Sequence, residues 1–322
     1  MLKYVLGRLV RAVPALLGII TLIFILIHAT PGDPVLALVG DFPAPEEYVR
    51  AMRAEFGLDR PLIEQYFTYL TAVARGDLGY SFFHRRSVLQ VIGERMGATA
   101  LLTGTALLVA TLAGVGLGAL AARRPFSPID WGISGNALVG FSIPVFWLGQ
   151  LLILVIAVRL GWLPAQGMVS LRLELAGWDR VRDVASHLVL PASALALRLI
   201  AMTTRLTRAA LLEVLGRDFI RTALAKGASG RRVLFRHALP NALLPVVTFV
   251  GYNLGSILAG SALIETVFGW PGLGRLLYDS VFTRDYPVLL GIFLTVSVSV
   301  VVANLLTDLA YGYLDPRIRI KS

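Results

Sequence analysis

Six stretches of this sequence stay apolar and almost uncharged over the roughly 20 residues a helix needs to cross a bilayer. They are residues 13–30, 97–122, 131–158, 184–204, 238–264 and 286–307, and the only charge inside them is Arg198. Hydrocarbon offers backbone groups no water, so continuously apolar runs of this length must satisfy their own hydrogen bonds as helices. The expected fold class is therefore an all-α integral membrane protein with six transmembrane helices. Composition agrees: 56% of residues are hydrophobic and 16% charged, against about 45–50% and about 25% in soluble domains. The chain has no cysteine, which excludes disulfides, thiol catalysis and thiolate metal sites.

The first run follows Lys3, Arg8 and Arg11, as a signal peptide would. It is longer than the roughly 7–15 apolar residues of such a peptide, and no small-x-small site ends it, so it reads as a permanent anchor. Charges between the runs set the orientation. Alternate segments sum to +12 on one side and −2 on the other. The positive-inside rule places the +12 side, with both termini, in the cytoplasm. The expected location is the inner (cytoplasmic) membrane, in contact with lipid.

The expected organisation has four parts: residues 1–30 as the N-terminal end and first span, 31–95 as an extracytoplasmic helical segment, 96–311 as the core, and 312–322 as a cytoplasmic tail. Within 31–95, amphipathic patterns around residues 48–56 and 61–74 read as short helices, punctuated by Gly57, Pro61 and Gly76.

The basic loop 216–240 carries the most information. Asp218 is placed to cap a short helix. Gly227 follows two turns later behind Lys226, which suits a left-handed helix stop. Ser229 is placed to cap a second helix that ends where Pro240 opens the fifth span. Thr222, Ala223 and Ala225 keep the first helix slim, and Phe219, Ile220 and Leu224 anchor it. A firmly capped helix pair between two spans transmits displacement to the membrane, where a slack loop would absorb it. A basic helix–turn–helix for DNA is the competing pattern, but both ends enter the membrane within a few residues, so no nucleic-acid partner is expected.

Residues 221–240 resemble the EAA loop of binding-protein-dependent ABC importer permeases, E-A-A-x-x-x-G, nine variable residues, then I-x-L-P. Ala223, Gly227, Leu239 and Pro240 match; Arg221 and Thr222 stand for Glu and the first Ala, and His237 for Ile. The family's acidic contact is not carried over to Arg221. Pro31-Gly32-Asp33-Pro34, Gly57 to Pro61, Arg75 to Gly79, Trp270 to Gly274 and residues 304–317 are similar to the first permease of dipeptide and oligopeptide importers.

The resemblance implies a type I ABC importer permease that forms half of a peptide pathway. Its implied partners are a second homologous permease, two ABC ATPase subunits and an extracytoplasmic solute-binding protein. Cargoes left open beside peptides are nickel complexes, glutathione and oligosaccharides. The implied coupling residues are Asp218, Arg221, Thr222, Ala223, Gly227, Leu239 and Pro240.

No G-x-x-x-x-G-K-[ST] occurs, so no cofactor is expected on this chain, and ATP and Mg belong to the partner ATPases. The chain itself is not expected to be an enzyme. Gly114, Gly116 and Gly118 lie inside an apolar run and read as helix packing. Ionisable groups near the membrane are functional candidates by default: Arg198 for the pathway, and Glu265 for a gate or for contact with the binding protein. Two rivals of other classes remain at this point, an ion-gradient-driven secondary transporter and a scaffold that transports nothing. The first would carry mid-membrane acidic relays, and none occurs in the six runs.

Overall fold

A computed structural model describes residues 2–29, 45–55, 57–81, 83–170, 175–255 and 262–314. The motif Pro31 to Pro34 and the tail 315–322 lie outside the described residues. α1 (Leu2–Ala29) is followed by two short amphipathic helices, α2 (Glu46–Glu55) and α3 (Leu62–Ala74), and a two-stranded hairpin, β1 (Tyr80–Ser81) with β2 (Arg86–Ser87), paired Tyr80 to Ser87. α3 lies on the C-terminal half of α1, where the Tyr66 hydroxyl meets Thr21 Oγ1 at 2.6 Å and Phe24 packs on Tyr66 and Tyr69.

Ser87 accepts the Gln90 N–H and starts α4 (Val88–Arg123), 36 residues long. This helix begins earlier than the apolar run at 97, because Val88, Val91 and Ile92 bury a first stripe against Leu273, Leu276, Val288 and Ile292. The third run does not form one rod. It divides into α5 (Pro128–Ser142) and α6 (Val145–Leu152), which continues as a π-helical stretch to Arg159, and the two parts are bent by 98°. Proline disfavours helical torsions in the residue before it; Ile143 is accordingly extended ahead of Pro144, and α5 stops at Ser142. Pro191, in contrast, lies within an unbroken 39-residue helix, α7 (Gly177–Leu215).

The basic loop carries α8 (Asp218–Ala225), α9 (Gly230–Arg232), a π-helical stretch Val233–Ala238 and α10 (Leu239–Ala242). Then come α11 (Leu244–Gly255), α12 (Ala262–Val267), α13 (Leu273–Phe282) and α14 (Tyr286–Leu314). Among the described residues, three helices are long and apolar enough to cross a membrane: Val88–Arg123, Gly177–Leu215 and Tyr286–Thr307. The number becomes five if each bent pair is one span, and Val13–Leu26 in α1 is a shorter apolar stretch.

α4 and α7 form the spine. Ala106, Ala110 and Ala196 are buried in their contact. Lower down, an added Cβ at Gly114 would lie 2.5 Å from Thr203 Cβ, and one at Gly118 would lie 2.6 Å from Thr207 Cβ. Gly114 and Gly118 pack the helices as expected, because close backbone approach needs small residues; Gly116 does not, since nothing lies within 4 Å of its Cβ. At one end of this spine sit the C-terminus of α4, the N-terminus of α5 and α8 to α10, here called the basic end. The hairpin, α12 and α13 gather at the other.

Candidate functional site

α7 ends at Leu215 with Gly216 as its C-cap, and only Gly216 and Arg217 separate it from α8. Arg217 takes the extended cap torsions (φ −75°, ψ 151°). Asp218 is therefore not the cap expected from the sequence: it is the first helical residue, and its carboxylate lies 3.6 Å from Arg221 with both side chains in solvent, where an ion pair contributes little. Thr222 Oγ1 donates back to the Asp218 carbonyl at 3.1 Å.

The stop is as expected. Gly227 has φ +81°, its N–H reaches the Leu224 carbonyl at 2.9 Å, and the Ala228 N–H reaches the Ala223 carbonyl at 3.1 Å. These two bonds close the helix in a Schellman motif. Ser229 caps the next helix by accepting the Arg232 N–H at 3.4 Å. That helix does not end at Pro240. Pro240 has no N–H to give the carbonyl one turn back, and the wider π-helical turn at Val233–Ala238 precedes it; the chain stays helical to Ala242 and bends by 48° into α11.

One face of this module is buried. Ile220, Val233, Leu234, Ala238 and Ala242 pack against Ala119 and Ala122 of α4 and Leu211 of α7, with Ala223 and Leu239 partly enclosed. Full burial of a side chain such as Ile220 stabilises by about 2 kcal/mol, so the helix pair is held to the ends of the two spine helices. The other face presents half-exposed Phe219, Leu224 and Phe235, surrounded by exposed Arg217, Arg221, Lys226, Arg231, Arg232 and Arg236. Apolar knobs ringed by basic side chains suit contact with another macromolecule.

A neighbouring contact escaped the sequence reading. Arg208 donates from Nε and Nη2 to the two carboxylate oxygens of buried Asp130, at 2.5 and 2.7 Å. The Phe126 N–H and Ser134 Oγ complete the site. Ser127-Pro128 before Asp130 reads as a helix start, but nothing local points to a partner 78 positions away. The pair fastens the start of α5 to α7 at the basic end. Arg208→Gln is expected to leave the buried Asp130 carboxylate without its guanidinium and to cost about 3 kcal/mol, read as thermal unfolding of purified protein at pH 7.

At the opposite end Glu265 is fully buried, so it is neither exposed to a docking protein nor solvated. It accepts from Thr99 Oγ1 at 2.8 Å and from the Arg275 N–H at 2.9 Å, capping α13, whose own cap position is glycine. Trp270 of the Trp-Pro-Gly-Leu-Gly motif is buried beside it and donates from Nε1 to the Ala98 carbonyl. Ser81, His84 and Asp285 also meet at this end; Ser81 donates to Asp285 at 2.5 Å, which pins the hairpin to the start of α14. Among the described residues no group of three or more His, Asp or Glu side chains is placed to hold a metal ion. Arg198 is exposed on α7, its guanidinium 5.4 Å from the centre of the Phe141 ring. The structure thus brings the loop residues together and leaves Arg198 and Glu265 apart from them and from each other.

The family model "Binding-protein-dependent transport system inner membrane component" matches residues 114–320, and its N-terminal companion matches residues 1–103. The chain belongs to this family. It is 41% identical to the dipeptide transport system permease protein DppB of Escherichia coli (strain K12) over 338 residues, covering 100% of both chains. It is 41% identical to the oligopeptide transport system permease protein AppB of Bacillus subtilis (strain 168), covering 99% of both. The fold is similar to a chain of the MetNI methionine ABC transporter in an inward-facing conformation, with a TM-score of 0.52, 19% identity, and 70% of this chain and 97% of that one covered. It is equally similar to a chain of an amino acid ABC transporter (TM-score 0.52, 18% identity, 70% and 94% covered). As an inner membrane component of a binding-protein-dependent system, this chain is a transport subunit.

Proposed function

We propose that this permease forms half of the membrane pathway of an ATP-driven importer of dipeptides or oligopeptides. It pairs with a second, homologous permease. Two ATPase subunits dock on the paired 216–240 loops, and an extracytoplasmic binding protein delivers the cargo at the opposite end. The peptide cargo is supported by two relatives at 41% identity, named for dipeptide and oligopeptide transport and matched along their whole length. Six spans follow if α1 crosses and each bent pair crosses once. The basic end then faces the cytoplasm with both termini, as the +12 against −2 charge balance requires. Residues 96–311 form the transporting core, and Arg198 lies on its pathway.

One observation carries the mechanism. The α8–α10 module is locked by two caps and a buried face to the ends of α4 and α7, while its other face is apolar and basic. When nucleotide brings the ATPases together, a push on Phe219, Leu224 and Arg221 passes through Ile220, Ala223 and Leu239 into the spine. Gly227 and Pro240 keep the lever's shape. The helices around the pathway then tilt between inward- and outward-facing states, and no bond changes on this chain.

Gly227→Val tests this. Nothing lies within 4 Å of an added Cβ at Gly227, so the substitution acts only through φ +81°, which a β-branched residue strongly resists. The expected result is at least a tenfold loss of ATP-dependent peptide uptake at normal membrane levels, with ATP hydrolysis weakened or no longer stimulated by the binding protein. Gly227→Asn, which tolerates this conformation, should retain most uptake. Wild-type coupling in the valine variant would remove the lever from the mechanism.

A further inference from the structure

α5 and α7 run antiparallel, and their contacts give a depth scale. Asp130 pairs with Arg208 at the basic end, Gly140 faces Leu197, and Phe141 lies under Arg198. Ten residues of helix separate Arg208 from Arg198, about 15 Å, which is half of a hydrocarbon core about 30 Å thick. Arg198 therefore sits near the middle of the bilayer. A lipid-facing arginine at this depth would reach for the nearer surface. This one instead holds its guanidinium over Phe141, at the end of α5 remote from the basic end.

Arg205 follows seven residues later, two turns along α7, so the two side chains share one face about 10 Å apart. Both are exposed. Among the described residues neither has an acidic partner; Glu213, the next acid along the helix, is taken by Arg217. Two unpaired guanidiniums on one face of a membrane helix fit a water-filled passage for something anionic. Guanidinium groups match carboxylates with parallel hydrogen bonds. The cargo proposed above carries one such group at its C-terminus.

We infer that Arg198 and Arg205 form a two-step binding site for the C-terminal carboxylate of the translocating peptide, Arg198 at mid-membrane and Arg205 two turns toward the cytoplasmic exit. This rests on the peptide-importer reading. It adds the chemical group that the passage recognises and the side chains that do so.

Met202 lies between the two arginines and is partly exposed, and the chain has no cysteine, so Met202→Cys introduces a single reporter thiol with both arginines intact. In the complete transporter in nanodiscs, labelling of this chain is followed by mass with an anionic sulfonatoethyl and a cationic trimethylammonium-ethyl thiosulfonate. With each rate divided by that reagent's rate with free cysteine, the anionic reagent is expected to react about tenfold faster, as local concentration of counter-ions in a charged cleft requires. Adding Arg198→Gln and Arg205→Gln should bring the ratio near one. Alanylalanine should slow labelling, and its C-terminal amide should not. No labelling by either reagent would mean that lipid or a neighbouring subunit covers this face, and would overturn the site. So would equal rates for the two reagents, or equal protection by the amide. Failure of the unaltered transporter to take up either alanylalanine or pentaalanine while the charge preference persists would instead reject the peptide cargo and leave the anion site standing.

Discussion

Replacing Gly118 by leucine is expected to prevent the permease from assembling into a stable bundle, with synthesis and membrane insertion unchanged. A Cβ at this position would lie 2.6 Å from Thr207 Cβ and 2.7 Å from the Thr204 carbonyl oxygen. The second of these belongs to the α7 backbone and cannot turn aside as a side chain can. One turn earlier, Gly114 faces the Ile200 carbonyl at 3.1 Å in the same way. Relief therefore requires α4 and α7 to separate, which opens the contact of Ala106, Ala110 and Ala196 and frees the platform of Ala119, Ala122 and Leu211 on which α8 rests. Overpacking in a core costs about 1–3 kcal/mol when side chains can adjust; against a backbone we expect about 4 kcal/mol. Gly116→Leu is the control, since nothing lies within 4 Å of its Cβ. At matched expression, Gly118→Leu should lose the folded peak in detergent and become protease-sensitive, while Gly116→Leu should not. Equal unfolding temperatures for the two variants would show that the spine does not depend on this close approach.

This contact was legible because its cause is local: small residues four apart in an apolar run have few other uses. The stop at Gly227 and the cap at Ser229 were legible for the same reason, each being set by one residue's torsions and its nearest backbone groups. What the sequence could not show depends on distant partners. Hydropathy reads residues 131–158 as one span because both halves are equally apolar; only the extended torsions at Ile143 and Pro144 reveal the 98° turn. Asp218 reads as a helix cap until α7 is seen to run as far as Leu215, which moves the cap to Arg217. Asp130 and Arg208 are an ordinary acid and an ordinary base on opposite ends of the spans until an antiparallel contact pairs them. Glu265 at the edge of a run reads as exposed, because nothing near it in sequence supplies Thr99, 166 positions earlier.

Glu265 is consequently expected to behave as a structural keystone. Thr99 Oγ1 donates to its Oε1, the Arg275 N–H donates to its Oε2, and Thr99 in turn accepts the Leu273 N–H at 2.7 Å. Its own carbonyl accepts the Trp270 N–H at 2.8 Å, so the side chain and backbone of one residue fix both ends of the Trp-Pro-Gly-Leu-Gly turn. Glu265→Ala strands the Arg275 N–H and the Thr99 hydroxyl in a dry site at about 1–3 kcal/mol each and leaves a void; we expect a total loss of about 4 kcal/mol. Glu265→Gln keeps one carbonyl acceptor but turns an amide N–H₂ toward a group that also donates, so about 2 kcal/mol is expected.

The turn glycine adds an independent check on this keystone. A Cβ at Gly272 would lie 2.4 Å from the Glu265 carboxyl carbon and from Thr99 Oγ1, so Gly272→Ala should be severe alone. Combined with Glu265→Ala it should cost less than the sum of the two, because the vacated space admits the methyl group. Urea or thermal unfolding of the four proteins gives this coupling directly. A gate or docking role for Glu265 would show the reverse pattern: unfolding unchanged in Glu265→Gln, and stimulation of ATP hydrolysis by the binding protein reduced. Strict additivity of the two alanine variants would equally separate Gly272 from the carboxylate and undo the capping account.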